Sequence, residues 1–565
     1  MPKKVIVIGG GVAGMSAAHE LAERGFKVEV FDRNPFYVGG KARSIAVPGT
    51  STNGQQNNLP GEHGFRFFPG FYKHVTDTMS RIPYGTNGKT CFDNLVATET
   101  VEICQTGQKP MILPMYIPST PLEWLQAIEE FFEGFIGVSK ELTKAEVKFF
   151  SDRIWQLMTS CDERYLNEYE QVGWWEYLRA DDFSADYRAL LVEGLTRSLV
   201  AAKAQTASTR TVGSIFLQLI YGMLSQKGVA TDRVLNGPTT MVWLRPWLQY
   251  LESKGVVYHH GQEAVEILMN GDKVNGISFR AVDGSQVVQK VTGDYYLLAV
   301  PVEVAATLMN KNVLKADSSL QNIVTLAPNV EWMNGIQFYL NKQFDMHKGH
   351  TIYANSAWAL TSISQIQFWK GYDIESKYDG TVRGILSVDI SDWTTPGNFN
   401  GKAARDCTLE EVKAEVWAQL KQEINVGPVP ILTDDMKRFE YLDSDIHYSP
   451  TGTPEIDDEH HLLANREPLL VNQVNTWTLR SNSYTGIPNL FLASDYVKTY
   501  TDLATMEGAN EAARRAVNNI LEVSGSSAKK CALWPFESPL VLDVLKEIDE
   551  SNYKKGLAWQ NPINI

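Results

Sequence analysis

Cysteine, basic charge and long apolar runs are all scarce in this chain of 565 residues. The five cysteines are scattered and odd in number, and none forms a Cys-x-x-Cys pair, so we expect no disulfide framework and favour a reducing compartment. The 52 basic residues are outnumbered by 66 acidic ones, and the net charge of −14 argues against nonspecific nucleic-acid binding. No run of about eighteen apolar residues occurs, so no membrane-spanning helix is predicted.

Other absences narrow the class of protein further. A strand is predicted to begin by Val5, which leaves no room for a signal peptide, so we expect a cytoplasmic protein. No G-x-S-x-G elbow occurs, and no serine hydrolase triad is predicted. His447, His460 and His461 lack the spacing of a zinc motif and have no cysteine pair nearby, so no metal site is predicted.

The length and composition that remain are those of a multidomain globular protein. A chain of 565 residues exceeds what one simple core supports, so about two or three domains are expected. Hydrophobic residues make up 44% of the sequence and charged residues 21%, which is ordinary for a globular protein.

A glycine-rich turn near the N-terminus is typical of dinucleotide binding. The apolar run Val5–Ile8 predicts a buried strand, and Gly9, Gly11 and Gly14 follow it in G-x-G-x-x-G spacing before a predicted helix. This spacing allows a tight turn, a close approach to a pyrophosphate and close packing of helix on strand, while the helix N-terminus offers free N–H groups. Asp32 closes the second strand, where it is placed to accept hydrogen bonds from ribose hydroxyls.

A second segment, near the C-terminus, predicts the other half of the same site. Residues 490–493 form an apolar strand, and Asp495 follows at its carboxyl end, where α/β sheets bind ligands. Thr505 is a suitable N-cap for a long helix, and the small residues Gly508 and Ala509 would let a planar ring approach its first turn. If the bound dinucleotide is FAD, the positive end of the helix dipole would favour the negative charge on the ring of the reduced flavin.

Four motifs carry a resemblance to a known family. Residues 39–44 resemble the G-G-[RK]-x-x-[ST] motif that follows the dinucleotide turn in this family, and residues 62–70 resemble its E-x-G-x-H-x-F-F-G motif, with Arg66 in place of histidine. Residues 294–301 resemble its motif of an acidic residue, an apolar strand and Ala-x-Pro. Residues 491–509 resemble its C-terminal FAD motif. The chain is identified as a member of the FAD-dependent flavin amine oxidase and phytoene desaturase superfamily. It is closest in motifs to the phytoene and ζ-carotene desaturase branch.

One position separates the branches of this superfamily. Its amine oxidases commonly carry an aromatic residue before Met-Glu-Gly-Ala, where it forms a wall of the cage that steers the amine. In this sequence that position is Thr505, and a small hydroxyl residue there resembles the desaturase branch. The resemblance therefore weighs against a monoamine-oxidase mechanism.

The resemblance implies an α/β fold: a Rossmann-type FAD-binding domain that is discontinuous in sequence, an α+β substrate domain and a helical cap. The expected FAD-binding domain combines residues 1–110, 236–310 and 471–525. Residues 111–235 would form the helical substrate or cap subdomain, because apolar residues recur there at helical spacing. Residues 311–470 would form the sheet-rich substrate domain, and residues 526–565 a peripheral C-terminal tail.

The motifs and the resemblance together predict the site residues. The expected FAD-binding residues are Gly9, Gly11, Ala13, Gly14, Asp32, Arg33, Gly40, Lys41, Gly64, Phe65, Arg66, Val265, Asp495, Thr505, Met506 and Glu507. The candidate catalytic residues are Arg66, which would orient the substrate or balance the charge of the reduced flavin, with Tyr500 and Asp502 for proton handling. The candidate substrate-pocket residues are Trp358, Gln365 and Trp369.

The function implied is an FAD-dependent desaturase or dehydrogenase. A hydride would pass from an apolar, carotenoid-like or lipid-like substrate to flavin N5, and oxygen or a quinone would accept the electrons. The alternatives left open are an amine or amino-acid oxidase that uses oxygen, an isomerase that needs reduced FAD, and a flavin-binding scaffold without turnover. Peripheral contact with a membrane is left open as well.

Overall fold

The computed structural model describes residues 2–52, 57–104, 111–112, 119–137, 141–194, 203–225, 232–285, 287–446 and 464–563. The strands, numbered in chain order, are β1 (Lys4–Ile8), β2 (Lys27–Phe31), β3 (Ser44–Ala46), β4 (Pro60–Glu62), β5 (Phe67–Phe68), β6 (Leu95–Ala97), β7 (Thr100–Cys104), β8 (Met111–Ile112), β9 (Arg233–Leu235), β10 (Val257–His259), β11 (Gln262–Asn270), β12 (Lys273–Ala281), β13 (Val288–Val291), β14 (Tyr295–Leu298), β15 (Val330–Glu331), β16 (Asn334–Leu340), β17 (Gly349–Tyr353), β18 (Leu360–Ser364), β19 (Gly384–Ile390), β20 (Lys437–Leu442), β21 (Leu469–Leu470) and β22 (Leu490–Leu492). The α-helices are α1 (Val12–Glu23), α2 (His74–Ser80), α3 (Pro121–Glu133), α4 (Lys144–Met158), α5 (Asp162–Arg164), α6 (Trp174–Tyr177), α7 (Thr209–Ser225), α8 (Arg245–Ser253), α9 (Val302–Leu308), α10 (Lys311–Ala316), α11 (Gln321–Leu326), α12 (Ile374–Lys377), α13 (Leu409–Ile424), α14 (Met506–Val523) and α15 (Asp543–Lys554). Within these ranges, no helix combines the length and the apolar character needed to cross a bilayer.

A five-stranded parallel sheet joins the two ends of the chain. Its strand order is β10-β2-β1-β14-β22, and every neighbouring pair runs parallel. Residues 5–8 of β1 are fully buried, as expected for an apolar strand covered on both faces. Strand β22 lies only one strand away from β1, because β14 pairs with both. The predicted α/β fold with a discontinuous Rossmann-type sheet is confirmed.

Helices α1 and α14 pack against each other beside this sheet. Both bury small residues, among them Ala17 in α1 and Ala513 in α14, which lets the two backbones approach closely. Asn510 of α14 donates a hydrogen bond to the Ser16 hydroxyl of α1 at 2.8 Å. The two motif-bearing helices are therefore held together, although their sequences are almost five hundred residues apart.

A seven-stranded sheet of order β20-β16-β19-β18-β17-β7-β8 forms the second layer. All its pairs are antiparallel except β17 with β7. One face packs against α13, where the Phe338 and Trp417 rings lie 4.8 Å apart. The other face meets residues 60–66: the Gly335 N–H donates to the His63 carbonyl at 2.6 Å, and the Tyr339 hydroxyl donates to the Pro60 carbonyl at 2.7 Å. This second face is the one that reaches the site described below.

The predicted helical region contains helices α3 to α7 around one aromatic-rich core. Residues 526–565, expected as a peripheral tail, contribute to that core. Leu542 and Leu545 are buried in it, and Asp549 forms an ion pair at 2.9 Å with Arg164, which is fully buried. A buried guanidinium needs such a partner, so the tail stabilises the helical region. The predicted domain boundaries stay a prediction.

Candidate functional site

The three glycines of the β1–α1 turn are required for three different reasons. Gly9 has φ +99°, and a Cβ there would lie 2.5 Å from the Ala299 carbonyl oxygen. A Cβ on Gly14 would lie 1.9 Å from the Gly9 carbonyl oxygen, so Gly14 lets helix and turn touch. A Cβ on Gly11 would meet nothing closer than 3.8 Å, the distance to Gly40 Cα. The protein itself therefore leaves free space beside Gly11 at the start of α1, where phosphates bind in this fold.

Asp32 lies directly after β2 and faces the same space. Its Oδ2 accepts the Gly10 N–H at 2.6 Å, and its Oδ1 accepts the Asn34 N–H at 2.7 Å. Burial raises the pKa of Asp32, although these two backbone donors and Arg33 oppose the shift. The carboxyl group is thus held rigidly at the edge of the cavity, and each oxygen keeps lone pairs that could accept from a ribose.

The loop at residues 39–43 lies beside Gly11, but its cations are engaged within the protein. The Lys41 ammonium donates to the Pro468 carbonyl at 2.6 Å. The Arg43 guanidinium is paired with Glu467 at 3.0 Å and with Asp445. His63, Asp445 and Glu467 offer ligand atoms close enough together to hold a metal ion, but Arg43 already forms ion pairs with both carboxylates. We therefore assign this group to ion pairing between distant parts of the chain.

The start of α14 forms the opposite side of the cavity. The Thr505 side chain accepts the Gly508 N–H at 3.0 Å and caps the helix as predicted. Thr505, Met506 and Ala509 line the cavity, so the positive end of the helix dipole faces it. Ser494, with φ +152°, and Asp495 enter the cavity wall from the end of β22.

One cavity of about 430 Å³ connects these elements. Among the predicted cofactor residues, those that line it are Gly9, Gly11, Ala13, Asp32, Arg33, Gly40, Lys41, Phe65, Arg66, Asp495, Thr505 and Met506. The predicted cofactor residues that lie outside its wall are Gly14, Gly64, Val265 and Glu507. On β11 the wall is formed by residues 262–264, just before the bulge that contains Val265.

Glu507 is turned away from the cavity and caps another helix. Its carboxylate accepts the backbone N–H groups of Lys73 and His74 at 2.8 Å each and of Val75 at 2.9 Å, at the start of α2. The His74 Nδ1 lies 2.7 Å from the same carboxylate. Four short contacts occupy the two oxygens, so Glu507 fixes α2 to α14 and would act on a cofactor only through the position of α14.

The two residues predicted for proton handling are not brought to the cavity. Tyr500 is 42% exposed, and its ring packs against the Arg515 guanidinium. Asp502 is buried, paired with Arg210 and, at 3.0 Å, with Arg480. Tyr500 is therefore a surface side chain, and Asp502 belongs to a structural ion pair.

The three predicted substrate residues lie in two other places. Trp358 is fully buried in the core between the seven-stranded sheet and α13, and its indole N–H donates to the Thr395 carbonyl at 3.1 Å. Gln365 and Trp369 line a small separate cavity of about 10 Å³ that adjoins Arg66. That volume holds about one water molecule.

Arg66 lies between the two cavities and is surrounded by carboxyl groups. Its guanidinium donates to the Lys41 carbonyl at 2.7 Å and the Ala42 carbonyl at 3.2 Å. Burial raises the pKa of Glu62 and of Asp389 to about 7 each, although the charge of Arg66 opposes both shifts. Two carboxyl groups that titrate near neutral pH thus interact with one half-buried cation.

Glu62→Gln should change the pH dependence of stability. The pKa of Glu62 rises from 4.5 to about 7 on folding. Such a group contributes its stability fully below the unfolded pKa and loses it as the pH rises through the folded pKa. Glutamine cannot ionise, so between pH 4.5 and about 7.5 the variant should gain up to a few kcal/mol of unfolding free energy relative to the unmutated protein. Urea unfolding across this range measures the gain, and the exposed Glu522→Gln serves as control. Parallel pH profiles for Glu62→Gln and the unmutated protein would contradict the assignment.

Sequence reasoning missed the polar residues that the second sheet contributes. His350 on β17, Thr361 on β18 and Asp389 on β19 all line the main cavity. Asp389 stands alone as a charge in the apolar strand Gly384–Ile390, and such a residue could have been noticed. Its direction toward the cavity depends on the strand register and was not predictable from the sequence.

Comparisons with known proteins agree with this geometry. Residues 7–82 match the family described as an NAD(P)-binding Rossmann-like domain. The chain is 24% identical over 297 residues to a carotenoid phi-ring synthase of Chlorobaculum tepidum, covering 45% of each protein. It is 21% identical over 315 residues to a zeta-carotene desaturase of Synechocystis sp., covering 55% of this chain and 60% of that protein. The matched region thus spans only about half the length of these relatives.

Solved structures share the fold over a larger part of the chain. Cyclohexylamine oxidase from Brevibacterium oxydans aligns with 93% of this chain and 100% of its own, with a TM-score of 0.58 and 12% sequence identity. At that identity the likeness describes the fold alone. The Rossmann-like match implies a dinucleotide cofactor for the cavity between β1 and α14.

Proposed function

Because the chain belongs to the FAD-dependent amine oxidase and phytoene desaturase superfamily, we propose that it is an FAD-dependent oxidoreductase acting on an apolar, carotenoid-like or lipid-like substrate. The observation that carries the proposal is the single cavity of about 430 Å³, which runs from the dinucleotide turn past α14 to an apolar wall. Its volume is in the range of ligand pockets, and its lining combines the dinucleotide turn with apolar side chains.

The first end of the cavity fits FAD. The space beside Gly11 and the start of α1 would receive the pyrophosphate, and Asp32 would accept from the ribose. The small residue Thr505 and the start of α14 would lie against the flavin ring, where the helix dipole favours negative charge. When bound, FAD would supply the redox chemistry, because its flavin N5 accepts a hydride.

The far end of the cavity suits an apolar substrate. Ile215 and Leu219 of α7 line it together with Phe71 and Leu503. The helical region therefore both packs its own core and forms a cavity wall. These side chains would position an extended hydrocarbon by van der Waals contact and exclude water from the reacting carbon.

An anaerobic titration tests the proposal. Purified yellow protein is mixed with polyenes or polyene extracts and, separately, with a panel of aliphatic amines, and the visible flavin band is followed. Bleaching by the polyenes supports the proposal, and bleaching by amines alone would replace it with an amine oxidase. A double-bond shift that needs prior flavin reduction but no acceptor would identify an isomerase. Reoxidation by oxygen and by a soluble quinone then compares the two acceptors.

A matched pair of variants tests the apolar wall. Leu219→Gln replaces an apolar side chain with a slightly longer polar amide, so we expect the apparent KM for the polyene to rise about tenfold while FAD content stays unchanged. Leu540 is 82% exposed, and Leu540→Gln should behave like the unmutated protein. Equal KM values for Leu219→Gln and the control would contradict the assigned wall.

A further inference from the structure

Three polar side chains of the seven-stranded sheet line the cavity, and two of them have buried atoms without a hydrogen-bond partner among the described residues. His350, Thr361 and Asp389 lie on the neighbouring strands β17, β18 and β19, and we call them the polar sheet face. Thr361 pairs directly with Asp389 across β18 and β19, so both point to the same side. Phe65 and Phe67 line the same part of the cavity.

His350 is the clearest case. It is 4% exposed, and both ring nitrogens are buried with no hydrogen-bond partner among the described residues. Its ring is enclosed by Phe65 and Phe67, each with its centroid at 5.2 Å. Burial and the nearby His347 lower the pKa of His350 to about 3, so the imidazole is neutral at pH 7 and offers one donor and one acceptor.

Asp389 shows a similar feature. Its Oδ1 is buried and lacks a hydrogen-bond partner in the described part of the chain. A Cβ on Gly64 would lie 2.6 Å from that oxygen, so the glycine at position 64 makes room for the carboxyl group. A buried polar atom without a partner costs free energy equivalent to roughly a tenfold or greater loss in the folding equilibrium. An apolar side chain at either position would avoid that cost, so the polar groups require an explanation.

We propose that the polar sheet face binds a hydroxyl group on the otherwise apolar substrate, with His350 as its anchor. This inference rests on the proposed function and narrows the substrate to an oxygenated apolar chain. A hydroxyl group can donate to the free imidazole nitrogen and accept from its N–H, whereas an ammonium group only donates.

Binding measurements on the FAD-loaded protein test the proposal. The probes are geranylgeraniol, its methyl ether and the hydrocarbon of the same chain, and the readout is the perturbation of the visible flavin spectrum. We expect the unmutated protein to bind the alcohol about tenfold or more tightly than the hydrocarbon, with the ether between them, because a lost buried hydrogen bond leaves the imidazole unpaired.

Two variants of His350 test whether this residue causes the preference for the alcohol over the hydrocarbon. His350→Phe keeps an aromatic ring between Phe65 and Phe67 but removes both nitrogens, so the alcohol and the hydrocarbon should bind equally. His350→Gln retains a donor and an acceptor and should keep part of the preference. His260 is exposed and outside the cavity, so His260→Phe should leave the preference unchanged.

The outcomes distinguish failure of this inference from failure of the proposed function on which it rests. Equal binding of alcohol and hydrocarbon by the unmutated protein, or a preference that survives in His350→Phe, overturns the inference. Either result leaves the proposed function standing if the hydrocarbon still bleaches the flavin. Absence of flavin bleaching by alcohol and hydrocarbon alike, despite normal binding, counts against the proposed function instead.

Discussion

The Gly11→Val variant is expected to fold normally and to bind no FAD. Gly11 adopts φ −70° and ψ −174°, an extended conformation that valine accepts without strain. A Cβ at this position meets nothing closer than 3.8 Å in the protein and points into the space assigned to the pyrophosphate. The valine side chain would fill that space, so we expect at least a hundredfold weaker FAD binding. Visible absorbance and FAD titration of the purified variant measure the loss.

A second glycine-to-valine change provides the control. Gly427 is exposed, and its nearest neighbour to an added Cβ is the Val429 carbonyl at 4.0 Å. Gly427→Val adds the same side chain far from the cavity and should retain a full complement of FAD. Normal FAD binding by Gly11→Val would contradict the placement of the pyrophosphate beside this turn.

The Gly14→Ala variant should instead lose the fold. An added methyl group would lie 1.9 Å from the Gly9 carbonyl oxygen and 3.3 Å from Val7 Cγ1, both in the first strand and turn. Relief of this clash requires α1 to move away from the sheet, which opens the core that α1 shares with α14. We expect a loss on the order of 4 kcal/mol or more in unfolding free energy, or failure to accumulate as soluble protein.

Urea unfolding of the apoprotein measures this effect without reference to the cofactor. Gly11→Ala is the matched control, because the same methyl group meets nothing closer than Gly40 Cα at 3.8 Å there. The two alanine variants should therefore differ strongly in stability although they lie three residues apart. Equal stability of both variants would show that Gly14 is not held as tightly as described.

Local physical rules made part of the site predictable from sequence. The turn at residues 9–14 follows from glycine spacing after a buried strand, and the cap at Thr505 follows from its position before a helix. Asp32 and Asp495 follow from strand ends, where parallel sheets bind ligands. Each of these inferences needs only a few neighbouring residues and a known element.

Side chains whose partners lie far along the chain were not predictable in this way. Glu507 belongs to a cofactor motif, but its carboxylate binds the start of α2 more than four hundred residues earlier in the sequence. Asp502 is adjacent in sequence to residues that line the cavity, but its carboxylate forms ion pairs with Arg210 and Arg480. Trp358 is an aromatic residue of the sheet-rich region, but it is buried in the core and its indole N–H donates to the Thr395 carbonyl. Pairing between distant segments, which no local pattern records, decided all three.

Strand register explains why the polar sheet face was missed. Alternate residues of β17, β18 and β19 face opposite sides, and a shift of one residue would exchange them. The sequence shows that His350 and Asp389 are polar residues in apolar strands, but only the observed pairing places both beside the cavity. The role of the C-terminal residues in the helical core depends likewise on a distant pair, Arg164 with Asp549.

The FAD content of the purified protein tests the central claim most directly: the two ends of the chain form one cofactor cavity. The protein is isolated under nondenaturing conditions, and released FAD is quantified against protein. We predict about one FAD per chain, lost when either Gly11→Val at the first end or Ala509→Trp at the other is introduced. Colourless protein that takes up no added FAD, or FAD binding that survives both changes, would contradict the account.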